Sequence, residues 1–168
     1  VIDNVKNLKS EIGVLYLSDF NEKVLRKLFK ECDIEFKELF TCNTYVYLWK
    51  KHPLADKKVI TLDDLQEYPC LTFEQGVNNS FYYAEEMMST YEYKRVIKAD
   101  DRATMLNLMV GLNGFTLCSG IISEDLNGDD YAAIPLKESE IMHIGYIKHK
   151  GTKLSKLGEI SVSYTHLR

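Results

Sequence analysis

The sequence predicts an α/β fold made of two units joined by a crossover, and three features lead there. Tyr45-Val46-Tyr47-Leu48-Trp49 is a run of large residues without polar alternation, as expected of a strand buried on both faces. Runs of this kind alternate with stretches of helical period, which is the β-α-β rhythm of an α/β protein. Lys50-Lys51-His52-Pro53 then stops the central run, because Pro53 cannot donate to a ladder and pushes His52 into an extended conformation. The stretch from Tyr45 to Gly76 therefore reads as a chain leaving one α/β unit and entering another.

Taken in order, Val1 to Lys9 is polar and without a strong period. Glu11 to Ser18 is expected as a buried strand. Asp19 and Glu22 have the D-x-x-E spacing of a helix cap, and Val24, Leu25, Leu28, Phe29 and Cys32 follow at helical spacing. Ile34 to Thr44 leads into the central strand. Thr61-Leu62-Asp63-Asp64 restarts the chain as a short helix, with Thr61 at the N-cap and Asp64 three residues on. Cys70 to Phe73 is a strand that breaks off into the polar loop Glu74-Gln75-Gly76. Asn78-Asn79-Ser80 offers caps for a helix carrying Phe81, Ala84, Met88 and Tyr91 on one face. Lys94 to Ala99 is a strand, and Asp100 or Asp101 caps a helix whose inward stripe is Met105, Leu106, Met109 and Val110. Asn113-Gly114 ends that helix, since both residues tolerate left-handed backbone. Phe115 to Cys118 is a strand, Ile121 to Leu126 a helical turn, and Tyr131 to Pro135 and Glu140 to Lys148 two more strands. A last helix begins at Leu154 with Leu157 and Ile160 inward. Beyond Ile160 the helical period breaks. Residues 161–168 resemble the translation of a transposon-derived sequencing adaptor, which marks them as an expected non-native tail.

The composition narrows the function classes. A net charge of −4 argues against a nucleic-acid surface within these residues, which would need a basic face. Cys32, Cys42, Cys70 and Cys118 show no C-x-x-C spacing and lie in apolar elements, as reduced buried cysteines in a cytoplasmic protein do. No apolar run is long enough to cross a membrane. The Walker, G-x-S-x-G, H-E-x-x-H and dinucleotide fingerprints are lacking, and Asp125 to Asp130 has its glycine in the wrong place for a calcium loop. His52 reads as a turn residue, His143 as packed or hydrogen-bonded, and no histidine has a metal-ligand partner at suitable spacing. Neither a cofactor nor a metal is expected.

Four landmarks in order carry a family resemblance. His52-Pro53-Leu54-Ala55 follows a strand, then comes the t-L-x-D-L-x-x-Y-P pattern of Thr61 to Pro69. Ser10-Glu11-Ile12-Gly13 precedes them, and Met109 to Leu117 and Ile134-Pro135-Leu136 follow. The whole resembles the effector-binding domain of LysR-type transcriptional regulators from Val1 to Ile160. The resemblance implies a two-lobed, periplasmic-binding-protein-like (type 2) α/β fold with an incomplete first lobe. Lobe one would be 1–51 with 141–160 returning to it, and lobe two 52–140. It also implies a small effector, anionic or amino-acid-like, bound in the cleft between lobes, and self-association to a dimer or tetramer. The DNA-binding winged helix-turn-helix of such regulators has no counterpart here, so any contact with DNA would be made by a segment outside these residues. Asn113 stands where the family usually has glycine.

The same resemblance selects candidate ligand contacts. Thr72 and Gln75 lie at the strand end where the family reads its effector, while Glu74 between them does not suit an anion and is expected either to point to solvent or to recognise an ammonium group. Plain turn and capping chemistry is the competing reading for this loop. Asn113 and Thr116, with Ser119, bracket the second helix-strand turn. Ser18, with Asp19 and Phe20, follows the first strand, and Thr44 lies near the crossover. A transport-associated solute-binding protein of the same architecture is the alternative reading. A hydro-lyase on this scaffold would need a convergent acid-base pair, and the sequence offers none, so no catalysis is expected.

Overall fold

The computed structural model describes residues 1–74, 91–122 and 128–166. The helix expected over Phe81–Tyr91 and the helical turn expected over Ile121–Leu126 fall largely outside those residues. Element order is α1 (Ile2–Lys6), β1 (Gly13–Leu17), α2 (Glu22–Glu31), β2 (Ile34–Cys42), β3 (Tyr45–Trp49), α3 (Leu62–Leu65), β4 (Cys70–Phe73), β5 (Val96–Ala99), α4 (Arg102–Gly111), β6 (Thr116–Cys118), β7 (Tyr131–Pro135), β8 (Met142–His149) and α5 (Lys156–His166). The chain divides into two compact units, Val1–Cys42 with Ile141–Arg168, and Asn43–Glu140.

In the first unit β8 lies between β1 and β2 and runs antiparallel to both. Leu17, Leu25, Phe29, Ile34 and Ile147 form its core, with Val5 of α1 fully buried among them. That burial explains why a short α1 forms where the sequence shows only polarity and no period. The cap of α2 is Asn21 rather than Asp19: the Asn21 carboxamide oxygen accepts the Ser18 N–H at 2.9 Å, and Asp19 stays exposed. Gly145 of β8 sits against the Phe36 ring and the Lys37 carbonyl, so a side chain there would collide with both. Lys148 is buried, its ammonium held 2.6 Å from a Glu35 oxygen and 2.6 Å from the Thr152 carbonyl. The break in apolar period beyond Ile160 does not end the helix; α5 continues to His166. Its inward position is Gly158, packed on Glu11, whereas Leu157 is 79% exposed and Ile160 42%. Ser155 fixes this orientation by donating its N–H and hydroxyl to the Glu11 carboxylate.

The second unit is organised by β3. It pairs antiparallel with β6 on one side and β7 on the other. A parallel bridge between Cys70 and Phe115 joins the parallel β4–β5 pair to this sheet. Successive side chains of β3 point to opposite faces. Val46 and Leu48, both 0% exposed, enter a cluster with Leu54, Ile60, Leu65, Cys70, Phe115, Ile134 and Leu136. Tyr47 enters the opposite cluster with Leu71, Ala99, Met105 and Met109. These ladders assign β3 to the second unit, whereas the sequence reading ran the first lobe to residue 51; the partners that decide it, β6 and β7, lie about seventy to ninety residues on, beyond any local pattern. The capping box of α3 is present, with Asp64 N–H donating to Thr61 Oγ1 and Thr61 N–H to the Asp64 carboxylate. Asp101 caps α4 by accepting the Thr104 N–H at 2.8 Å. On α4, Met105 and Met109 are buried as expected, but Val110 is 41% exposed, and Leu108 rather than Val110 packs beside Leu106.

Leu48→Ala would remove a fully buried side chain where two ladders meet. It is expected to lower stability by about 3 kcal/mol, as a lost transfer term plus a cavity, which urea unfolding followed by fluorescence of the chain's single tryptophan, Trp49, would register. A change under about 1 kcal/mol would contradict the central place given to β3.

Candidate functional site

The chemistry-bearing groups of the second unit gather at the C-terminal ends of β4 and β5. The register pairs Thr72 with Lys98 and Phe73 with Ala99. Thr72, Lys98 and Glu74 therefore share one face, while Leu71 and Ala99 point into the core on the other. The Glu74 N–H is taken by the Ala99 carbonyl at 2.9 Å, which extends the pairing one residue past the strand. Its carboxylate lies 3.5 Å from the Lys98 ammonium, and both side chains are about half exposed. Thr72 is half-buried. Gln75 lies outside the described residues.

The N-terminus of α4 follows directly after β5. Helix starts attract anions, but here the Asp101 carboxylate already serves the first-turn donors. Hydrogen bonds from the Thr104 hydroxyl and N–H hold that carboxylate below its usual range. An anion is thus better served by Lys98 than by this helix end.

Asn113 has the left-handed backbone expected of it, with φ +51°. Its side-chain oxygen accepts the Trp49 indole N–H at 2.9 Å, and its carbonyl lies 2.9 Å from His52 Nε2. Leu54 N–H donates to His52 Nδ1 at 3.0 Å, so the ring carries its proton on Nε2 and donates it to Asn113. The buried ring also packs on Tyr68, with centroids 4.4 Å apart. The acceptors of Asn113 are thereby engaged in fastening two turns together. Thr116 is half-buried on β6 opposite Tyr47, and the Ser119 hydroxyl accepts the Ile121 N–H at 3.4 Å. Thr44, 1% exposed, donates its N–H to the Ser139 hydroxyl oxygen at 2.7 Å, and its carbonyl accepts the Leu136 N–H at 3.1 Å. Thr44 is thus pinned to the segment that leaves the unit.

In the first unit, Ser18 ends β1 and is 2% exposed, with its N–H held by Asn21 and its carbonyl accepting from Asn21 and Glu22. Phe20 is 38% exposed. His143 is hydrogen-bonded, its Nδ1 2.8 Å from a Glu38 oxygen. Among the described residues, no cluster of three His, Cys, Asp or Glu is placed to hold a metal ion. No helix among them is long and apolar enough to cross a membrane.

Sequence reasoning missed Lys98 and the Trp49–Asn113–His52 network. The one local sign of Lys98 is a lysine interrupting Val96-Ile97-Lys98-Ala99 just before the strand ends.

Comparison with known proteins places these features in context. The family model described as "LysR substrate binding domain" matches residues 24–159. The regulator HinK of Pseudomonas aeruginosa is 16% identical, at TM-score 0.63, over 98% of this chain and 55% of its own. The effector-binding domain of QuiR, solved with shikimate, is 19% identical, at TM-score 0.62, over 99% of this chain and 75% of its own. The reduced OxyR regulatory domain of Pseudomonas aeruginosa is 15% identical, at TM-score 0.66, over 99% and 77%. This chain spans about 55% of the length of the P. aeruginosa LysR regulators it matches. A search of curated proteins gave no match.

Burial holds the His52 ring below its ordinary value of 6.5, outweighing the Asn113 carbonyl, which acts in the opposite direction. The unfolded chain therefore takes up this proton at higher pH than the folded one. Its contribution to stability is complete above 6.5 and is lost as pH falls through that value toward the folded one. The melting temperature is expected to drop between about pH 7.5 and about pH 5.5, and His52→Gln to flatten that drop. An unchanged slope in the variant would assign the effect elsewhere.

Proposed function

The chain belongs to the LysR substrate-binding domains, whose model covers most of it, and on that premise we propose that it is the effector-sensing part of a LysR-type transcriptional regulator. It takes up a small molecule, anionic or amino-acid-like, and binding shifts the population of its conformations. A domain outside these residues carries that shift to DNA, in a cytoplasmic dimer or tetramer. The role is regulatory, and no turnover of the ligand is assigned to it. The similar solved structures are themselves regulators or their effector domains, which favours this reading over a transport protein of like architecture.

The observation that carries the proposal, beyond the family itself, is the strand-end face of the second unit. Thr72 and Glu74 stand there beside Lys98, at the C-terminal ends of parallel strands where open α/β folds take their ligands. Thr44, Thr116 and Gln75 complete the contacts proposed for this unit, and Ser18 is proposed separately as a ligand contact of the first unit. Asn113 is retained as a positioning residue, because its acceptors hold Trp49 and His52.

Shikimate and a panel of small carboxylates and amino acids, screened by thermal shift, test the role. At least one is expected to raise the melting temperature. Thr72→Ala is expected to weaken that ligand about three- to tenfold, the worth of one neutral hydrogen bond. Unchanged affinity in the variant would remove Thr72 from the site.

A further inference from the structure

Lys98 and Glu74 raise a question that stability does not answer. An exposed ion pair contributes little to folding. At 3.5 Å the two groups attract without forming a short charge-assisted hydrogen bond, and about half of each side chain faces solvent. Both therefore retain hydrogen-bonding capacity toward a third molecule. They also sit on the same face as the Thr72 hydroxyl, at the ligand end of a parallel strand pair.

We infer that Lys98 and Glu74 select a zwitterion, an α-amino acid or a close analogue, as the ligand of this unit. The inference rests on the sensing role proposed above and narrows its ligand. Lys98 receives the ligand carboxylate and Glu74 its ammonium, so each charge of the ion pair exchanges one opposite neighbour for another. A monocarboxylate of the same skeleton gains Lys98 but brings its own negative charge beside Glu74, with nothing to compensate. An amine without a carboxylate meets the converse penalty from Lys98. The Asp101 cap reinforces this selection, since it removes the α4 N-terminus as a competing anion site. The Glu74 N–H is likewise closed to a ligand, being bonded to Ala99. Among the described residues, this face offers side-chain charge at Lys98 and Glu74.

The test uses the whole 168-residue chain and a panel of L-amino acids, each beside its deaminated carboxylate (L-phenylalanine with 3-phenylpropanoate, for example). Binding is read by thermal shift and then calorimetry. At least one amino acid should bind, with its deaminated partner weaker by about tenfold or more. Glu74→Gln should weaken the amino acid by a similar factor and bring the deaminated acid to within a few-fold of it. Lys98→Gln should weaken both. Because both side chains are half exposed, each variant should melt close to the parent, which separates lost binding from lost folding. Equal binding of the two ligand classes by the parent overturns the inference, as does parental affinity in both variants. So does a panel in which no amino acid binds. A carboxylate that binds through Thr72 but ignores the Glu74 and Lys98 changes would overturn the zwitterion and leave the sensing role standing.

Discussion

Burial of β3 on both faces is the constraint on which the second unit depends. Val46 and Leu48 fill one core and Tyr47 the other, so the strand is shared by both clusters and, paired on each edge, lies at the centre of the sheet between them. Each fully buried aliphatic side chain of this kind contributes about 1.5–3 kcal/mol. Moving the strand by one residue would turn every side chain to the wrong face. The register with β6 and β7 is therefore fixed by packing, and through the Cys70–Phe115 bridge that register passes to β4 and β5. The position of Thr72 opposite Lys98 is a distant result of where Val46 and Leu48 must go.

Polar groups then refine what packing sets. Thr61 and Asp64 close the start of α3, Asp101 closes the start of α4, and the His52 ring ties the turn after β3 to the turn after α4. In each case a group that would otherwise be an orphan donor or acceptor finds a partner, as burial demands. These closures also shape the ligand chemistry, because they consume backbone donors that an anion would otherwise seek. Among the described residues, the strand-end face still offers a hydroxyl, an ammonium and a carboxylate.

Much of this was legible in the sequence because it is local. The buried central run, the Thr61–Asp64 box, the Asp101 cap and the left-handed Asn113 each depend on residues within a few positions of one another. Features fixed by distant partners were not. The assignment of β3 to the second unit rests on ladders to β6 and β7, and the orientation of α5 on Glu11, which meets Ser155 from 144 residues away. Lys98 looked like an ordinary surface lysine because only the pairing register sets it beside Thr72 and Glu74. His52 reads locally as a turn residue, and its role appears only with Asn113, 61 residues later.

The placement of β8 between β1 and β2 has a consequence for the order of folding. The second unit is one continuous segment, Asn43–Glu140, and has all its described strands once Glu140 has left the ribosome. The first unit cannot close its sheet then, since β1 and β2 do not pair with each other and both must await Met142–His149. Until that strand arrives, β1 and β2 stand unpaired on a nascent chain whose second unit already has its described strands. Such edges invite pairing with other chains. Synthesis thus leaves β1 and β2 without their shared partner strand throughout the interval between Cys42 and Met142, which opens a window for misassembly.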